Sequence, residues 1–193
     1  DLQSEYRKKR KLKWEGQYPS RDLDIVYPEM FLDTTKKAVK VQIKARKNNY
    51  LVKVKYGRWD FSKHKVNDLT QPFNTCAGDI AFKLRKPIQQ GAEYYIVTLP
   101  MLPAVDKYTR SIVAAPYKKE SNIINISTST DMPTRAIDFI NKEIEFYNLD
   151  AVIDKNIMAS NTASFIEERL RLIEEELAVA EKAMETYKAE HGI

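Results

Sequence analysis

The sequence predicts an α+β fold in which a strand-rich base domain, residues 1–130, precedes a helical segment, residues 131–193. Alternating apolar and polar residues dominate the first two-thirds of the chain, as in half-buried strands. Apolar residues at spacings of three and four dominate the last third, as in helices that pack lengthwise against other helices. We expect long, projecting helices that resemble a coiled coil and form the first arm of a truncated helical hairpin.

The clearest strand signal is a β-hairpin in the segment KAVKVQIKARKNNYLVKVKYG. Both arms alternate apolar and polar residues, and Asn48-Asn49 lies between them, where a tight turn favours residues that tolerate positive φ. The residues expected on the core face are Val39, Val41, Ile43 and Ala45 on the first arm and Leu51, Val52, Val54 and Tyr56 on the second. This hairpin predicts an antiparallel sheet.

The other strand signals are shorter. Residues 1–19 predict one strand, at the edge of a sheet, that runs into lysines. Further strands are predicted in DLDIVYP, DIAFKL, EYYIVTL, SIVAAPYK and SNIINISTST, and the last two are expected to pair. The segment LPAVDKYTRSI predicts a short helix, because proline is tolerated in a first helical turn.

The helical segment has a predicted beginning and a predicted interruption. Asp131 is a favourable N-cap residue shortly before Pro133. A first seam at spacings of three and four is formed by Ile137, Ile140, Ile144 and Tyr147. Continued in the same register, the seam would include Asp154 and Asn161. We therefore expect a kink or break within IMASNT, where Ser160 or Asn161 caps a second helix.

A second seam starts at Ala163 and continues to Tyr187. The five residues predicted to pack against another helix are Ile166, Leu170, Ile173, Leu177 and Met184. Gly192 predicts the end of the helix, with Ile193 making the accompanying apolar contact and His191 favoured by the negative end of the helix dipole. We expect the partner of this seam in a downstream part of a parent chain or in another molecule.

Composition excludes several classes of protein. The single cysteine, Cys76, cannot form an intrachain disulfide, and the run YYIVTLPMLPAV is well short of the ~20 residues that cross a bilayer. No phosphate-binding loop or dinucleotide-binding glycine pattern occurs, and His64 and His191 lack the spacing of metal ligands. We expect no enzymatic activity, cofactor or metal. Because the chain begins with Asp and shows no signal peptide, we interpret it as an excised or processed segment.

Charge is unevenly distributed along the chain. Residues 1–66 contain 18 Lys/Arg and 8 Asp/Glu, whereas residues 131–193 contain 7 and 14. The densest basic stretch lies between Tyr6 and Trp14 and consists of Arg7, Lys8, Lys9, Arg10, Lys11 and Lys13. This stretch fits a phosphate backbone whose bases stack on the rings, an anionic glycan, or anionic lipid headgroups. It equally fits an edge strand that its lysines keep soluble.

The helical segment also carries motifs in a recognisable order. An Asp-x-Pro start is followed by NTASFIEERL and then by a Leu/Glu/Ala-rich helix that closes on YKAEHGI. The residues concerned are Asp131, Pro133, Asn161, Thr162, Phe165, Ile166, Glu168, Arg169, Leu170, Tyr187, Lys188, Glu190, Gly192 and Ile193. With the upstream RSIVAAPYKKESNIINIST, residues 92–193 resemble bacterial chain-length determinant proteins, the polysaccharide co-polymerases of Wzz and Wzc type. The segment VKVKYGRWDFSKH resembles the Bacteroidota branch that is fused to a tyrosine autokinase.

This resemblance implies the periplasmic portion of a bacterial inner-membrane protein, with a base near the membrane and long helices extending from it. It implies ring-shaped homo-oligomers that set the chain length of capsular polysaccharide or O-antigen. Their partners would be a polysaccharide polymerase, an outer-membrane exporter and the growing polysaccharide, and not nucleic acid. Any tyrosine kinase activity would lie in a cytoplasmic domain outside this chain.

The alternative is a cytoplasmic module of a different class. It would bind nucleic acid through the basic stretch and dimerise through the helical tail as a coiled coil. Hydrophobic spans of ~20 residues on both sides in the parent gene favour the co-polymerase, and their absence favours the alternative.

Overall fold

The computed structural model describes residues 2–192, and for residues 189–191 it describes the backbone alone. Within this range the α+β class is confirmed, because antiparallel sheets are followed by one long helix. The chain forms two compact units, of which the first ends at Phe139 and the second begins at Ile140.

The described residues of the first unit contain eleven strands. They are β1 (Ser4–Arg10), β2 (Lys13–Gly16), β3 (Leu23–Val26), β4 (Val39–Ala45), β5 (Tyr50–Tyr56), β6 (Asp60–Val66), β7 (Phe73–Thr75), β8 (Gly78–Leu84), β9 (Glu93–Thr98), β10 (Ile112–Pro116) and β11 (Ile124–Thr128). The helices are α1 (Phe31–Thr34), α2 (Met101–Ser111) and α3 (Pro133–His191). A six-stranded sheet has the order β2-β1-β9-β4-β5-β6, a three-stranded sheet has the order β3-β8-β7, and β10 pairs with β11.

The core lies between the six-stranded and the three-stranded sheet. Alternation along β4 buries Val39, Val41 and Ile43, and the return strand β5 buries Val52 and Val54. The other large side chains of this core include Leu23, Leu69, Ile80, Phe82, Tyr94 and Ile96. The predicted hairpin is therefore confirmed, and residues that alternate with the core residues lie on the opposite, outer face of the sheet.

Two details of that hairpin differ from the prediction. Leu51 precedes buried Val52 and so lies on the outer face, opposite Lys44. Asn48 and Asn49 need no positive φ, because a four-residue connection is closed by a hydrogen bond from the Arg46 N–H to the Asn49 carbonyl. The longer loop relaxes the backbone requirement that a two-residue turn would impose.

The prediction of a single strand in residues 1–19 is wrong. The chain reverses at Lys11, which takes a positive φ of 53°, and β2 pairs back onto β1. As a result β2 forms the sheet edge, whereas β1 lies between β2 and β9. The strand β6 was not predicted, and it places His64 in the six-stranded sheet.

The long helix α3 is unbroken from Pro133 to His191, so the predicted break within IMASNT is wrong. Ser160 and Asn161 are mid-helical, and the Thr162 hydroxyl donates to the Met158 carbonyl at 2.8 Å, four residues earlier. The Thr162 hydroxyl therefore bonds to the backbone of the preceding helical turn and does not cap a helix end. No proline or glycine follows Pro133 until Gly192, so nothing in the sequence forces an interruption.

A change of spacing explains how the apolar seam continues through this region. A strict seven-residue seam drifts by about 20° per repeat around a straight helix, and an additional four-residue step restores its position. Beyond Tyr147 such steps lead through Ala151, Lys155 and Met158 to Thr162 and then to the second seam. Asp154 and Asn161 thereby leave the seam, and Lys155 and Thr162 are the polar residues that lie on it.

The two ends of α3 confirm only part of what the sequence predicts for them. Met132, not Asp131, occupies the N-cap position, because the Met132 carbonyl accepts the first helical hydrogen bond, from the Ala136 N–H at 3.2 Å. At the other end Gly192 takes the predicted left-handed conformation with φ of 66°. The predicted roles of Ile193 and of the His191 side chain lie outside the described residues.

Candidate functional site

The predicted basic stretch does not form one basic surface. Along β1, Lys8 shares the face of buried Tyr6, whereas Arg7 and Lys9 lie on the outer face. Carboxylates neutralise four of its members through the ion pairs Arg7–Asp131 (3.0 Å), Lys8–Asp22 (2.6 Å), Lys9–Glu93 (3.0 Å) and Arg10–Glu15 (3.2 Å). Only Lys11 and Lys13 lack an ion pair within the described part of the chain. The stretch is thus mainly a structural element.

Lys8 belongs to a partly buried network that links β1 and β9 to the segment before β3. Its ammonium group donates to Asp22, which also accepts a hydrogen bond from the Tyr94 hydroxyl at 3.0 Å. Burial alone would raise the pKa of Asp22, but these hydrogen bonds outweigh it and hold the pKa below its ordinary value. The bond to Asp22 raises the pKa of Lys8. All three groups are satisfied by one another, so we assign them to stability.

A second charged cluster surrounds Glu5, within the first unit. Glu5 pairs with Lys107 of α2, and Arg135 of α3 approaches it at 3.9 Å. A cavity of about 440 Å³ adjoins this cluster and is lined in addition by Tyr108 and by residues 128–132. Burial raises the pKa of Tyr108 to about 12, so its hydroxyl stays protonated at neutral pH.

This second cluster attaches the first turns of α3 to the strands. Arg135 donates to the Leu2 carbonyl at 3.0 Å, and the rings of Tyr108 and Phe139 lie 5.1 Å apart. Its cations face carboxylates, and it contains no pairing of a nucleophile with a base. The arrangement therefore fits a structural junction better than a catalytic centre.

The sequence reasoning missed a basic surface on the outer face of β4, β5 and β6. We call it the lysine face, and it consists of Lys40, Lys53, Lys55, Lys63 and Lys65. Among the described residues none of these lysines has a carboxylate partner within 4.0 Å. The signal was present in the sequence, since five of the six residues that alternate with the core residues along the two arms of the hairpin are polar and four of them are lysine.

A shallow pocket of about 230 Å³ lies beside the lysine face on the same side of the sheet. It is lined by Arg7, Trp14, Gln42 and Tyr95, which come from β1, β2, β4 and β9. The Trp14 and Tyr95 rings lie 5.8 Å apart and are tilted by 52°, so they form two inclined walls. Lys9 places its ammonium group 5.9 Å from the Trp14 ring.

The predicted helix-packing residues are uncovered in the second unit. Ile166, Leu170, Ile173, Leu177 and Met184 are each between 51% and 59% exposed. Small residues adjoin this stripe at Ala159, Thr162 and Ala163, where they form a shallow groove together with Met158 and Ile166. The helix therefore presents a long apolar stripe that nothing in the described chain covers.

The earlier part of the same helix has a second apolar stripe that sequence reasoning did not identify. Phe146, Leu149, Ile153 and Ile157 follow one another at spacings of three and four and are all exposed. Helical geometry places them on roughly the opposite side from Ile144 and Tyr147. A helix that is apolar on two sides is suited to contact more than one neighbour.

The remaining candidates for chemistry are isolated. Cys76 is half-buried and its thiol approaches the Val54 carbonyl at 3.5 Å, as expected for a small packing residue. His64 lies beside the Phe73 ring at 5.6 Å. No group of three potential metal ligands occurs among the described residues. Nor does the described part of the chain contain a helix with the length and apolar character needed to cross a membrane.

Neither of two comparisons with known protein sequences finds a relative. A scan against protein families finds no family that matches this sequence. A search of curated protein sequences likewise finds no match.

Proposed function

We propose that this chain is the periplasmic part of a bacterial inner-membrane polysaccharide co-polymerase. It would regulate the chain length and export of capsular polysaccharide or O-antigen by assembling into a homo-oligomeric ring. A polysaccharide polymerase and an outer-membrane exporter would be its partners. The chain would act by assembly and not by catalysis, and any kinase activity would belong to a separate cytoplasmic domain.

The observation that carries the proposal is the uncovered apolar stripe of α3. Soluble monomers rarely expose contiguous apolar patches larger than a few hundred Å². Five large apolar side chains between Ile166 and Met184, each at least half exposed, form such a patch on one side of a helix. The stripe shares Ile166 and Leu170 with the motifs on which the resemblance to chain-length determinants depends. A module that assembles through lengthwise helix contacts would account for the exposed stripe and for the resemblance.

The alternative function, nucleic-acid binding in the cytoplasm, has one observation in its favour. The lysine face is a basic surface that would attract any polyanion. The basic stretch that first suggested this alternative is mostly neutralised by ion pairs, however. We therefore retain the co-polymerase as the proposed function and treat nucleic-acid binding as an outcome to be tested.

Two experiments test the proposed function. The parent gene should encode hydrophobic spans of ~20 residues on both sides of this segment. In the host bacterium, deletion of the gene should change the length distribution of a surface polysaccharide, and the unaltered gene should restore it. A gene with Leu170→Glu and Leu177→Glu should fail to restore it, because charges replace the apolar contacts.

A matched control uses the other side of the same helix. Ser164→Glu and Ala178→Glu also add two carboxylates to α3, but helical geometry places them away from the stripe. The control gene should restore the length distribution. A parent gene without membrane spans, or an unchanged polysaccharide after deletion, would contradict the proposal.

A further inference from the structure

The register of the six-stranded sheet aligns polar residues in a single row across its outer face. Arg7 lies opposite Tyr95, Tyr95 opposite Gln42, Gln42 opposite Lys53, and Lys53 opposite Lys63. The row crosses β1, β9, β4, β5 and β6 in that order. Because adjacent strands lie about 4.8 Å apart, it is about 19 Å long. It begins at the shallow pocket and ends on the lysine face.

We infer that an acidic polysaccharide chain binds along this row, with one sugar unit in the pocket and its carboxylates on Lys53 and Lys63. The location of the binding surface follows from the geometry of the sheet and does not depend on the proposed function. The identity of the natural glycan rests on the proposed function.

The charge arrangement is the first argument for a ligand. Like charges directly opposite each other on neighbouring strands are destabilising. Lys53 faces Lys63 in this way, and Lys40 faces Lys55. Lysines that only protected a sheet edge would be confined to the edge strands β2 and β6, whereas Lys40 and Lys53 lie on strands with a neighbour on each side. A bound polyanion would neutralise the positive charge of these opposed lysines, which by itself lowers the stability of the sheet.

The pocket supplies the argument for a sugar. The C–H faces of a pyranose ring pack against aromatic side chains, and its hydroxyl groups bind amides and guanidinium groups. Trp14 and Tyr95 provide the aromatic walls, while Gln42 and Arg7 provide the polar groups. At about 230 Å³ the pocket is smaller than the ~300–1,000 Å³ typical of sites that enclose a whole small ligand. It therefore suits one unit of a polymer that continues along the row.

The same geometry disfavours stacked nucleobases. A base is a flat plate that lies parallel to an open aromatic face. Here the two rings are inclined by 52°, and Lys9 lies 5.9 Å from the Trp14 ring. A puckered sugar ring fills such a space more completely than a flat base does.

Arg7 has a positioning role within the pocket. Its guanidinium group is held at 3.0 Å from the Asp131 carboxylate, so that its own charge is largely compensated. The uncompensated charge of the row lies on Lys53 and Lys63. We therefore expect the lysines to determine the salt dependence of binding, and the pocket to determine the preference for a sugar.

The experiment is a titration of the chain with labelled oligogalacturonate, an acidic glycan of defined length. Binding at about 50 mM salt should weaken strongly at about 200 mM, because counterion release governs contacts between a polyanion and lysines. Lys53→Gln with Lys63→Gln should reduce the affinity about tenfold or more and flatten the salt dependence. Gln42→Ala should reduce the affinity and leave the salt dependence unchanged.

Lys118→Gln with Lys119→Gln is the matched control, since it removes the same charge from exposed residues between β10 and β11. This control should bind within about twofold of the unaltered chain if site and not net charge decides the affinity. An uncharged dextran oligomer should bind far more weakly than oligogalacturonate. All variants should keep the circular dichroism spectrum of the unaltered chain, and the Lys53/Lys63 variant should not melt below the unaltered chain, because its substitutions remove a repulsion between opposed lysines.

Three results would overturn the inference. The first is an equal loss of affinity in the control and in the Lys53/Lys63 variant. The second is tighter binding of an oligothymidylate, and the third is tighter binding of phosphatidylglycerol vesicles, in each case with the same dependence on Lys53 and Lys63. Failure of this inference leaves helix-mediated assembly unaffected, because the variants lie in the first unit and the apolar stripe in the second.

Discussion

Lys53 on β5 and Lys63 on β6 lie directly opposite each other on the outer face of the six-stranded sheet. Both side chains carry a positive charge, and no described carboxylate forms an ion pair with either. Opposed like charges on neighbouring strands reduce the stability of a sheet. This pair therefore offers a direct test of whether the lysine face stabilises the fold or opposes it.

We predict that Lys63→Glu stabilises the chain. The substitution converts a repulsive cross-strand pair into an attractive one, which should raise the free energy of unfolding by about 0.2–1 kcal/mol at low salt. Lys65→Glu is the control, because Lys65 lies on the same strand and face but opposite Leu51. Urea unfolding of the three chains measures the effect. Equal stabilisation in both variants, or a difference that persists at about 1 M salt, would argue against a pairwise charge effect.

The Lys8–Asp22 pair leads to a prediction about pH. The pKa of Asp22 in the folded state lies below its ordinary value, so the pair contributes stability above the unfolded pKa of about 3.9. That contribution is lost as the pH falls through the lower, folded pKa. The raised pKa of Lys8 has the opposite sign, since its contribution is complete below about pH 10 and is lost as the pH rises further.

Asp22→Asn should therefore destabilise the chain at neutral pH by about 1–3 kcal/mol, because the Lys8 ammonium loses its charged acceptor. The variant should also lose less stability than the unaltered chain between pH 5 and pH 2, measured by thermal unfolding. Asp60→Asn removes a carboxylate from the exposed Lys37–Asp60 pair and serves as the control. It should change neither the stability at neutral pH nor its acid dependence by more than about 0.5 kcal/mol.

How much of the fold the sequence predicts depends on burial. The β4–β5 hairpin is evident because Val39, Val41 and Ile43 alternate with polar residues and are fully buried. In β6 the alternating residues are half-buried at most, and lysines and His64 obscure the period. The reversal at Lys11 gives no signal at all, because a lysine in the left-handed region is unusual. Strands without a buried apolar face are those that the sequence fails to reveal.

The apolar stripe and the polar row also differ in how far the sequence predicts them. The apolar stripe of α3 could be predicted, because helical spacing alone places Ile166, Leu170 and Ile173 on one side. The row from Arg7 to Lys63 could not, because it depends on the register of five strands, of which β1 and β9 are far in sequence from β4, β5 and β6. For a related reason, the local charge density at residues 7–13 does not reveal how much of that charge is neutralised. The carboxylates that neutralise it, such as Asp131 and Glu93, come from distant parts of the chain.

The continuity of α3 can be tested at Asn161. In an unbroken helix Asn161→Ala replaces a poor helix former by the best one and should stabilise the helix by about 0.5 kcal/mol. If Asn161 capped a second helix, the same substitution would destabilise it by about 1 kcal/mol. Thermal melting of the helical circular dichroism signal at low protein concentration distinguishes the two signs. Ser160→Ala, at the other suggested cap, should shift the melting in the same direction as Asn161→Ala.

The apolar stripe makes the last prediction. We expect the purified chain to self-associate through α3 as its concentration rises, because Leu170 and Leu177 are more than half exposed. Leu170→Glu with Leu177→Glu should abolish the concentration-dependent increase in mass measured by sedimentation, since each substitution places a charge where packing is expected. Ser164→Glu with Ala178→Glu, on the other side of the helix, should leave the association intact.

The same variants also test whether the two units are independent. The stripe lies in the second unit and the buried core in the first, so Leu170→Glu with Leu177→Glu should not change the urea unfolding of the sheets. Tryptophan fluorescence reports on that unfolding, because Trp14 and Trp59 both belong to the first unit. If the sheets of the double variant unfold at a lower urea concentration, α3 and the sheets share one core. Assembly through an independent helical arm would then be the wrong description of this chain.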